Sequence, residues 1–103
     1  MSASAQTGAF PQRSTACYSV HAPADPSVMP RVLEVFTRRG FIPAVWYSTL
    51  YGEGDGELQI DIQVANLEPA MAERLAQCLR QLVSVSCVLT SEKRQAARAG
   101  EAA

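Results

Sequence analysis

Residues 25–41, DPSVMPRVLEVFTRRGF, combine a turn, an amphipathic helix and a helix stop in one continuous stretch. Asp25 or Ser27 can accept a free backbone N–H at the helix start. The apolar positions that follow recur at helical spacing: Val28, Val32, Val35 and Phe36. Gly40 offers the left-handed backbone conformation that ends many helices. The segment therefore predicts one helix with a defined start, a defined end and a single buried face.

Strand and helix patterns surround this segment. Residues 17–22 alternate as a strand that ends at a proline, and residues 42–51 are rich in β-branched and aromatic side chains. Residues 58–64 alternate most regularly, and residues 83–89 predict a last short strand. Between these two strands, residues 68–82 predict a helix whose apolar face consists of Met71, Leu75, Cys78, Leu79 and Leu82. The predicted order is β-α-β-β-α-β.

This order predicts the fold class. Two right-handed crossovers place two helices on one face of a four-stranded antiparallel sheet, which is the ferredoxin-like α+β fold. A chain of 103 residues is large enough for one domain. We expect that domain at residues 15–90, with a small, polar, disordered arm at 1–14 and a flexible tail at 91–103.

Composition excludes several classes of function. A formal net charge of −1 gives no electrostatic footprint for DNA or RNA. The sequence shows neither a signal peptide nor a membrane-length apolar run, so we expect a soluble protein without a membrane partner. The three cysteines, Cys17, Cys78 and Cys87, lack metal spacing and favour a reducing cytoplasm. A Cys17–Cys87 pair on neighbouring strands is left open.

No catalytic or metal-binding constellation accompanies these patterns. His21 is the only histidine, which leaves no histidine cluster for a metal or a triad. The glycine-rich run at residues 52–56 precedes a strand and lacks a P-loop lysine, so it predicts a hairpin turn. A weak cation site at Glu53, Asp55 and Glu57 is the alternative, without calcium-loop spacing. We expect no catalytic residues, no metal and no cofactor.

Two surface features admit more than one interpretation. Trp46 projects to one face of its predicted strand, and Tyr47 and Tyr51 project to the other. Pro43 suits an edge strand, where an outward aromatic side chain marks either a partner surface or ordinary sheet packing. Arg31, Arg38 and Arg39 interleave with Glu34 along the first helix, and we interpret them as a solvated face rather than an anion site.

Two motifs resemble a known family. RVLEVFTRRGF at residues 31–41 and LAQCLRQLVSVSCV at 75–88 are similar to the helix end and the helix-to-strand passage of ACT domains. Within that family they resemble the small regulatory subunit of acetolactate (acetohydroxyacid) synthase, over about residues 18–90. The departures Ala24, Ser27 and Ile42, where valine-binding members have asparagine, glycine and asparagine, resemble the short, valine-insensitive type.

The resemblance implies a non-catalytic regulatory subunit in branched-chain amino-acid biosynthesis. It implies a homodimer joined through an edge strand, and a thiamine-diphosphate-dependent catalytic subunit as partner. A small amino acid would bind between the turn before the first helix of one chain and the second strand of the other. Its implied ligand-binding residues are Asp25, Pro26, Ser27, Val28, Phe41 and Ile42, with turn amides facing a carboxylate. The alternatives are a free-standing ACT amino-acid sensor, a dimerisation module and a small ferredoxin-like enzyme.

Overall fold

A computed structural model describes residues 13–53 and 56–94 of the chain. Six elements follow one another in the predicted order: β1 (Ser14–Pro23), α1 (Val28–Thr37), β2 (Val45–Tyr51), β3 (Glu57–Leu67), α2 (Pro69–Arg80) and β4 (Cys87–Arg94). The strands form one sheet in the order β2-β3-β1-β4, and every neighbouring pair is antiparallel. The predicted ferredoxin-like βαββαβ fold is confirmed.

The two central strands supply the floor of the core. Alternate side chains of β1 are buried, namely Ala16, Tyr18, Val20 and Ala22, and those between them are half-buried. Alternate side chains of β3 are buried in the same way: Leu58, Ile60, Ile62 and Val64. Because strand side chains alternate between faces, this pattern means that the helices cover one face of the sheet.

The helices close the core from above. The buried face of α1 is the predicted one, Val28, Val32, Val35 and Phe36. On α2 the buried residues are Leu75, Ala76 and Leu79, while Met71 and Cys78 pack against the core and are half-buried. Leu82 also packs against the core, but it follows the helix, which ends at Arg80 rather than at residue 82. Full burial of a side chain such as Phe36 stabilises the fold by roughly 1.5–3 kcal/mol relative to its exposure to water.

The last strand begins later than the sequence predicts. Residues 81–84 form turns, and the Val85 N–H donates to the Leu82 carbonyl at 3.1 Å. Val83 is 94% exposed, so the prediction of a strand at residues 83–89 is wrong in its first half. The strand instead continues to Arg94, through polar positions that carry no apolar alternation. The remainder of the predicted arm and tail, residues 1–12 and 95–103, lies outside the described residues.

The second strand is also shorter than predicted. It starts at Val45, so Ile42 and Pro43 precede it rather than belong to it. Its position at one edge of the sheet agrees with the prediction from Pro43. Trp46 is half-buried on the helix side, and Tyr47 is 65% exposed on the opposite face, as the alternation predicts.

The strand register separates the two strand cysteines. Cys17 lies opposite Ser91, whereas Cys87 lies opposite His21, four residues farther along β1. At 3.3 Å per residue this offset is about 13 Å along the strand, and a disulfide needs Cα atoms within about 7 Å. An intramolecular Cys17–Cys87 disulfide is therefore incompatible with the fold.

Candidate functional site

The turn between β1 and α1 is closed by one carboxylate. Oδ1 of Asp25 accepts hydrogen bonds from the Ser27 N–H at 2.9 Å and from the Ser27 hydroxyl at 3.0 Å. The Val28 N–H donates to the Asp25 carbonyl at 3.0 Å. Asp25 thus accepts the N–H of Ser27, the residue that precedes the helix, and the prediction that Asp25 or Ser27 caps the helix is wrong because its start has no side-chain capping bond.

These bonds keep the Asp25 side chain charged. The Ser27 backbone N–H, followed by the Ser27 hydroxyl and the nearby charge of Arg31, lowers the pKa of the Asp25 carboxyl below its ordinary value. The carboxylate is fully open to solvent and carries a negative charge at neutral pH beside the turn.

A cavity of about 400 Å³ lies between this turn, the first turn of α1 and the edge strand β2. We call it the turn cavity. Its lining consists of Ala24, Asp25, Pro26, Met29, Ser48, Leu50 and Leu58. The volume lies within the range of small-molecule sites, roughly 300–1,000 Å³, and mostly apolar walls with few polar groups are typical of them.

The position of β2 at the sheet edge explains why the cavity is open. Leu50 pairs with Leu58 across the β2–β3 ladder, and both side chains point to the helix face of the sheet. Leu58 is 4% exposed, but Leu50 is 72% exposed, since α1 does not reach over the edge strand. An apolar shelf is therefore left uncovered next to the turn.

The polar side chain on the cavity floor is fully engaged as a donor. The Ser48 hydroxyl donates to the Met29 sulfur at 3.7 Å and accepts the indole N–H of Trp46 at 3.1 Å. A hydroxyl oxygen has two lone pairs, so one acceptor position of Ser48 is still available.

The structure brings some of the expected ligand-binding residues together and separates others. Asp25 and Pro26 line the turn cavity, with Ser27 exposed beside them, whereas the side chain of Val28 is buried in the core. Two further residues, Phe41 and Ile42, follow Gly40 at the opposite end of α1. Ten helical residues span about 15 Å, so one chain does not unite the two groups. A site that takes each group from a different chain stays a prediction.

Four cavity residues were not anticipated: Met29, Ser48, Leu50 and Leu58. The alternation of β2 does place Ser48 and Leu50 on the same face as Trp46, which was the available signal. From the sequence alone, this face of β2 would be predicted to be buried in the core. The sequence carries no measure of how far a helix extends over an edge strand, so the opening itself could not be found.

Comparison with known proteins identifies the family. The family model described as "ACT-like domain" matches residues 11–97 of the chain. The chain belongs to the ACT-like domain family. ACT domains are small-molecule-binding regulatory modules and are not catalytic. The match confirms the ACT resemblance predicted above; it does not extend to the acetolactate synthase subunit.

Solved structures share the fold of this ACT-like domain. The ACT domain from GTP pyrophosphokinase of Chlorobium tepidum superposes with a TM-score of 0.63 at 11% identity, covering 81% of this chain and 91% of that one. The C-terminal domain of the MgtC protein from Mycobacterium tuberculosis gives 0.60 at 15% identity, covering 82% and 93%. Identities this low establish the fold alone. The search of curated proteins found no match.

The open face of the ACT-like sheet carries His21 near the end of β1, opposite Cys87 of β4. Its Nε2 lies 3.2 Å from the Ser19 hydroxyl, and its Nδ1 lies 3.5 Å from a carboxylate oxygen of Glu57. Among the described residues, no group of three or more metal-ligating side chains could hold a metal ion. Asp55, part of the alternative cation site, lies outside them. None of the described helices is long and apolar enough to cross a membrane.

A second hollow, of about 640 Å³, lies between the two helices of the ACT-like domain and is lined by Arg31, Arg38 and Arg39. Arg38 pairs with Glu34 at 3.2 Å. Arg39 donates to the Val35 carbonyl at 3.3 Å and to the Cys78 sulfur at 3.4 Å. Two of the three guanidinium groups are therefore used in local contacts, which favours the turn cavity as the ligand site.

Proposed function

We propose that this chain is a non-catalytic regulatory module that binds a small, largely apolar ligand in the turn cavity and transmits its presence to a partner enzyme. The observation that supports the proposal is the shape of the turn cavity within an ACT-like fold. One wall of the cavity is the edge strand β2, whose outer side has no neighbouring strand among the described residues. A bound ligand would therefore adjoin the surface through which a second chain can pair.

The partner that we propose is the thiamine-diphosphate-dependent catalytic subunit of acetolactate synthase. The proposal rests on the motifs at residues 31–41 and 75–88, which resemble its small subunit. In the fold, Gly40 has a φ of 82°, so the helix-stop glycine of the first motif has its expected backbone conformation. The active form would be a cytoplasmic homodimer joined through β2, with an amino acid as the effector.

Reconstitution tests this function directly. The chain is mixed with the catalytic subunit of the same organism, and acetolactate formation is measured at rising ratios with and without branched-chain amino acids. We expect stimulation that saturates near one chain per catalytic subunit. If acetolactate formation does not rise at any ratio, this partner assignment fails, whereas the fold and the family are unaffected.

A free-standing ligand sensor is the second candidate. The turn cavity favours it over a simple dimerisation module, because a module without a ligand has no need of an open apolar cavity beside its dimer edge. Calorimetry against the twenty amino acids separates the two candidates. Saturable binding without stimulation of the catalytic subunit would indicate a sensor, and the absence of both effects would indicate a dimerisation module.

A further inference from the structure

The hollow between α1 and α2 concentrates positive charge on a chain whose formal net charge is −1. We call it the interhelical hollow. The charged residues among its described lining are three arginines, Arg31, Arg38 and Arg39, and one acid, Glu34. A local excess of one sign attracts groups of the opposite sign, and it does so even on a protein that is slightly acidic as a whole.

The local contacts of these arginines leave most of their N–H groups unused. A guanidinium has five N–H donors, and Arg39 uses two of them in the contacts given above, which hold its side chain beside the hollow. Arg38 shares its charge with Glu34, but 72% of the Arg38 side chain is exposed. In the part of the chain that the structure describes, Arg31 has no hydrogen bond or ion pair, although it lies near enough to Asp25 for their charges to attract.

The spacing of the arginines indicates an elongated occupant. Arg31 lies in the first half of α1, and Arg38 is the residue at its C-cap, seven positions later. Seven residues of helix span about 10 Å and return to nearly the same side of the helix. Glu34 lies between them, so a compact anion placed midway would be repelled by its carboxylate. A peptide with several acidic side chains can instead place carboxylates at both ends.

The base of the hollow is apolar, which also suits a peptide. Val35 is buried there, and Leu82 is half-buried and packs against the core. The carbon atoms of a polypeptide can cover this surface and gain from its removal from water, whereas a small hydrated ion cannot. Arginines beside apolar surface are typical of protein interfaces, where they often contribute much of the binding energy.

From this arrangement we infer that the interhelical hollow is a docking surface for an acidic segment of the partner protein, with Arg31 and Arg38 binding carboxylates at its two ends. The inference deepens the proposed function and rests on it, because it assigns the surface through which the regulatory module contacts its partner enzyme. None of the described lining residues belongs to β2, so the docking surface is separate from the proposed dimer edge.

The first test uses the full chain and a fluorescein-labelled peptide of ten glutamates, with binding followed by fluorescence anisotropy. We expect saturable binding at low salt that weakens steeply between about 20 and 200 mM NaCl, since salt screens exposed charges. A neutral peptide of alternating serine and glycine is the control and should not bind. Tripolyphosphate represents a small anion, and we expect it to bind more weakly than the glutamate peptide.

Neutral variants locate the binding on the chain. Arg31→Gln and Arg38→Gln should each weaken peptide binding about two- to fivefold, the effect expected of an exposed charge pair, and glutamine is compatible with the helix. Glu34→Gln should strengthen binding, because it removes a carboxylate that repels the peptide and competes for Arg38. Arg74→Gln, at an exposed arginine of α2 outside the hollow, loses the same charge and should leave the affinity nearly unchanged.

The second test carries the same variants into the acetolactate assay with the catalytic subunit of the same organism. In the double variant Arg31→Gln with Arg38→Gln, the chain concentration that gives half-maximal stimulation should rise about five- to tenfold. The maximal stimulation should stay the same, because only the affinity for the partner changes. Arg74→Gln should alter neither quantity, and circular dichroism checks that each variant is folded.

The outcomes separate this inference from the proposed function. If the folded double variant stimulates the catalytic subunit as the wild type does, the inference is overturned and the proposed function stands. If the wild-type chain gives no stimulation, the proposed partner fails and the peptide decides. Loss of peptide affinity in the Arg31 and Arg38 variants but not in Arg74→Gln then supports the inference. Absent peptide binding, equal effects of all three variants, or tighter binding of tripolyphosphate overturns it.

Discussion

At the scale of single residues, Tyr18 joins the sheet to both helices. Its ring is 3% exposed and meets Phe36 of α1 edge-on, with centroids 5.6 Å apart and planes at 62°. Its hydroxyl donates to the Ala72 carbonyl of α2 at 2.8 Å. Burial, together with the charge of Glu73, raises the pKa of this phenol well above its ordinary value, so it stays protonated as the bond requires.

Removal of that hydroxyl should weaken the fold measurably. In Tyr18→Phe the hydrogen bond from the phenol to the Ala72 carbonyl is lost, and we expect the free energy of unfolding at pH 7 to fall by about 1 kcal/mol. Urea unfolding followed by circular dichroism measures it. Tyr47→Phe, at a side chain 65% exposed, is the control and should be neutral.

The same phenol predicts how stability depends on alkaline pH. A group whose pKa is raised on folding stabilises the protein fully below its unfolded pKa, which is about 10 for tyrosine. That contribution is lost as the pH rises above this value. The wild-type protein should therefore lose stability between about pH 10 and 11.5 faster than Tyr18→Phe does. Parallel pH curves for the two proteins would contradict the assignment.

Gly40 is a second residue whose role can be isolated. Its φ of 82° lies in the left-handed region, and an added Cβ would meet no atom within 4 Å. The cost of Gly40→Ala is then purely conformational, and we expect about 1–2 kcal/mol of lost stability in urea unfolding. Gly40→Asn should lose less, because asparagine tolerates this conformation better. An unchanged alanine variant would show that the helix end relaxes.

At the scale of elements, the register of β1 and β4 predicts the redox behaviour of the cysteines. With Cys17 and Cys87 four residues out of register, mild oxidation of the dilute protein should yield no disulfide between them. Mass spectrometry of non-reduced peptides measures this. Ser91→Cys, opposite Cys17, is the positive control for a cross-strand pair. A linked Cys17–Cys87 peptide from monomeric protein would show that the register is wrong.

The elements also differ in how far the sequence could predict them. The buried face of α1 and the alternation of β3 could be predicted, because an element buried on one side has apolar residues at helical or strand spacing. The continuation of β4 to Arg94 could not be found, because its polar residues are defined as a strand by pairing with β1 rather than by their own composition. Asp25 and Pro26 were anticipated at the site through the family resemblance, whereas no motif of the sequence pointed to Leu50.

At the scale of the whole molecule, the unprotected edge strand is the feature most open to association. Four large apolar side chains of β2 are at least 43% exposed, namely Val45, Tyr47, Leu50 and Tyr51. Soluble proteins usually guard such an edge with charge, proline or a covering element. In the part of the chain that the structure describes, this edge is both apolar and uncovered, which favours pairing with a second copy.

The exposed edge of β2 predicts a dimer whose interface lies at β2. Substitutions on β2 should dissociate it, and substitutions at the opposite edge of the sheet should not. Sedimentation equilibrium should give twice the mass of one chain. The double substitution Val45→Lys with Tyr47→Lys should lower the association constant of the dimer by at least tenfold, because like charges repel across the interface and apolar contact area is lost. Leu89→Lys, on β4 at the opposite edge and 57% exposed, is the matched control. Dissociation by Leu89→Lys alone would move the interface to β4.

The pairing of Ser14 with Arg94 has a consequence for how such a domain can be used. The backbone enters the sheet and leaves it at adjacent points, about 5 Å apart, while the turn cavity lies at the far end of β1, about 30 Å away. A domain with this layout can be spliced into a surface loop of a host protein, or have its ends joined and be reopened elsewhere. Either rearrangement leaves the cavity intact, so the module is transferable.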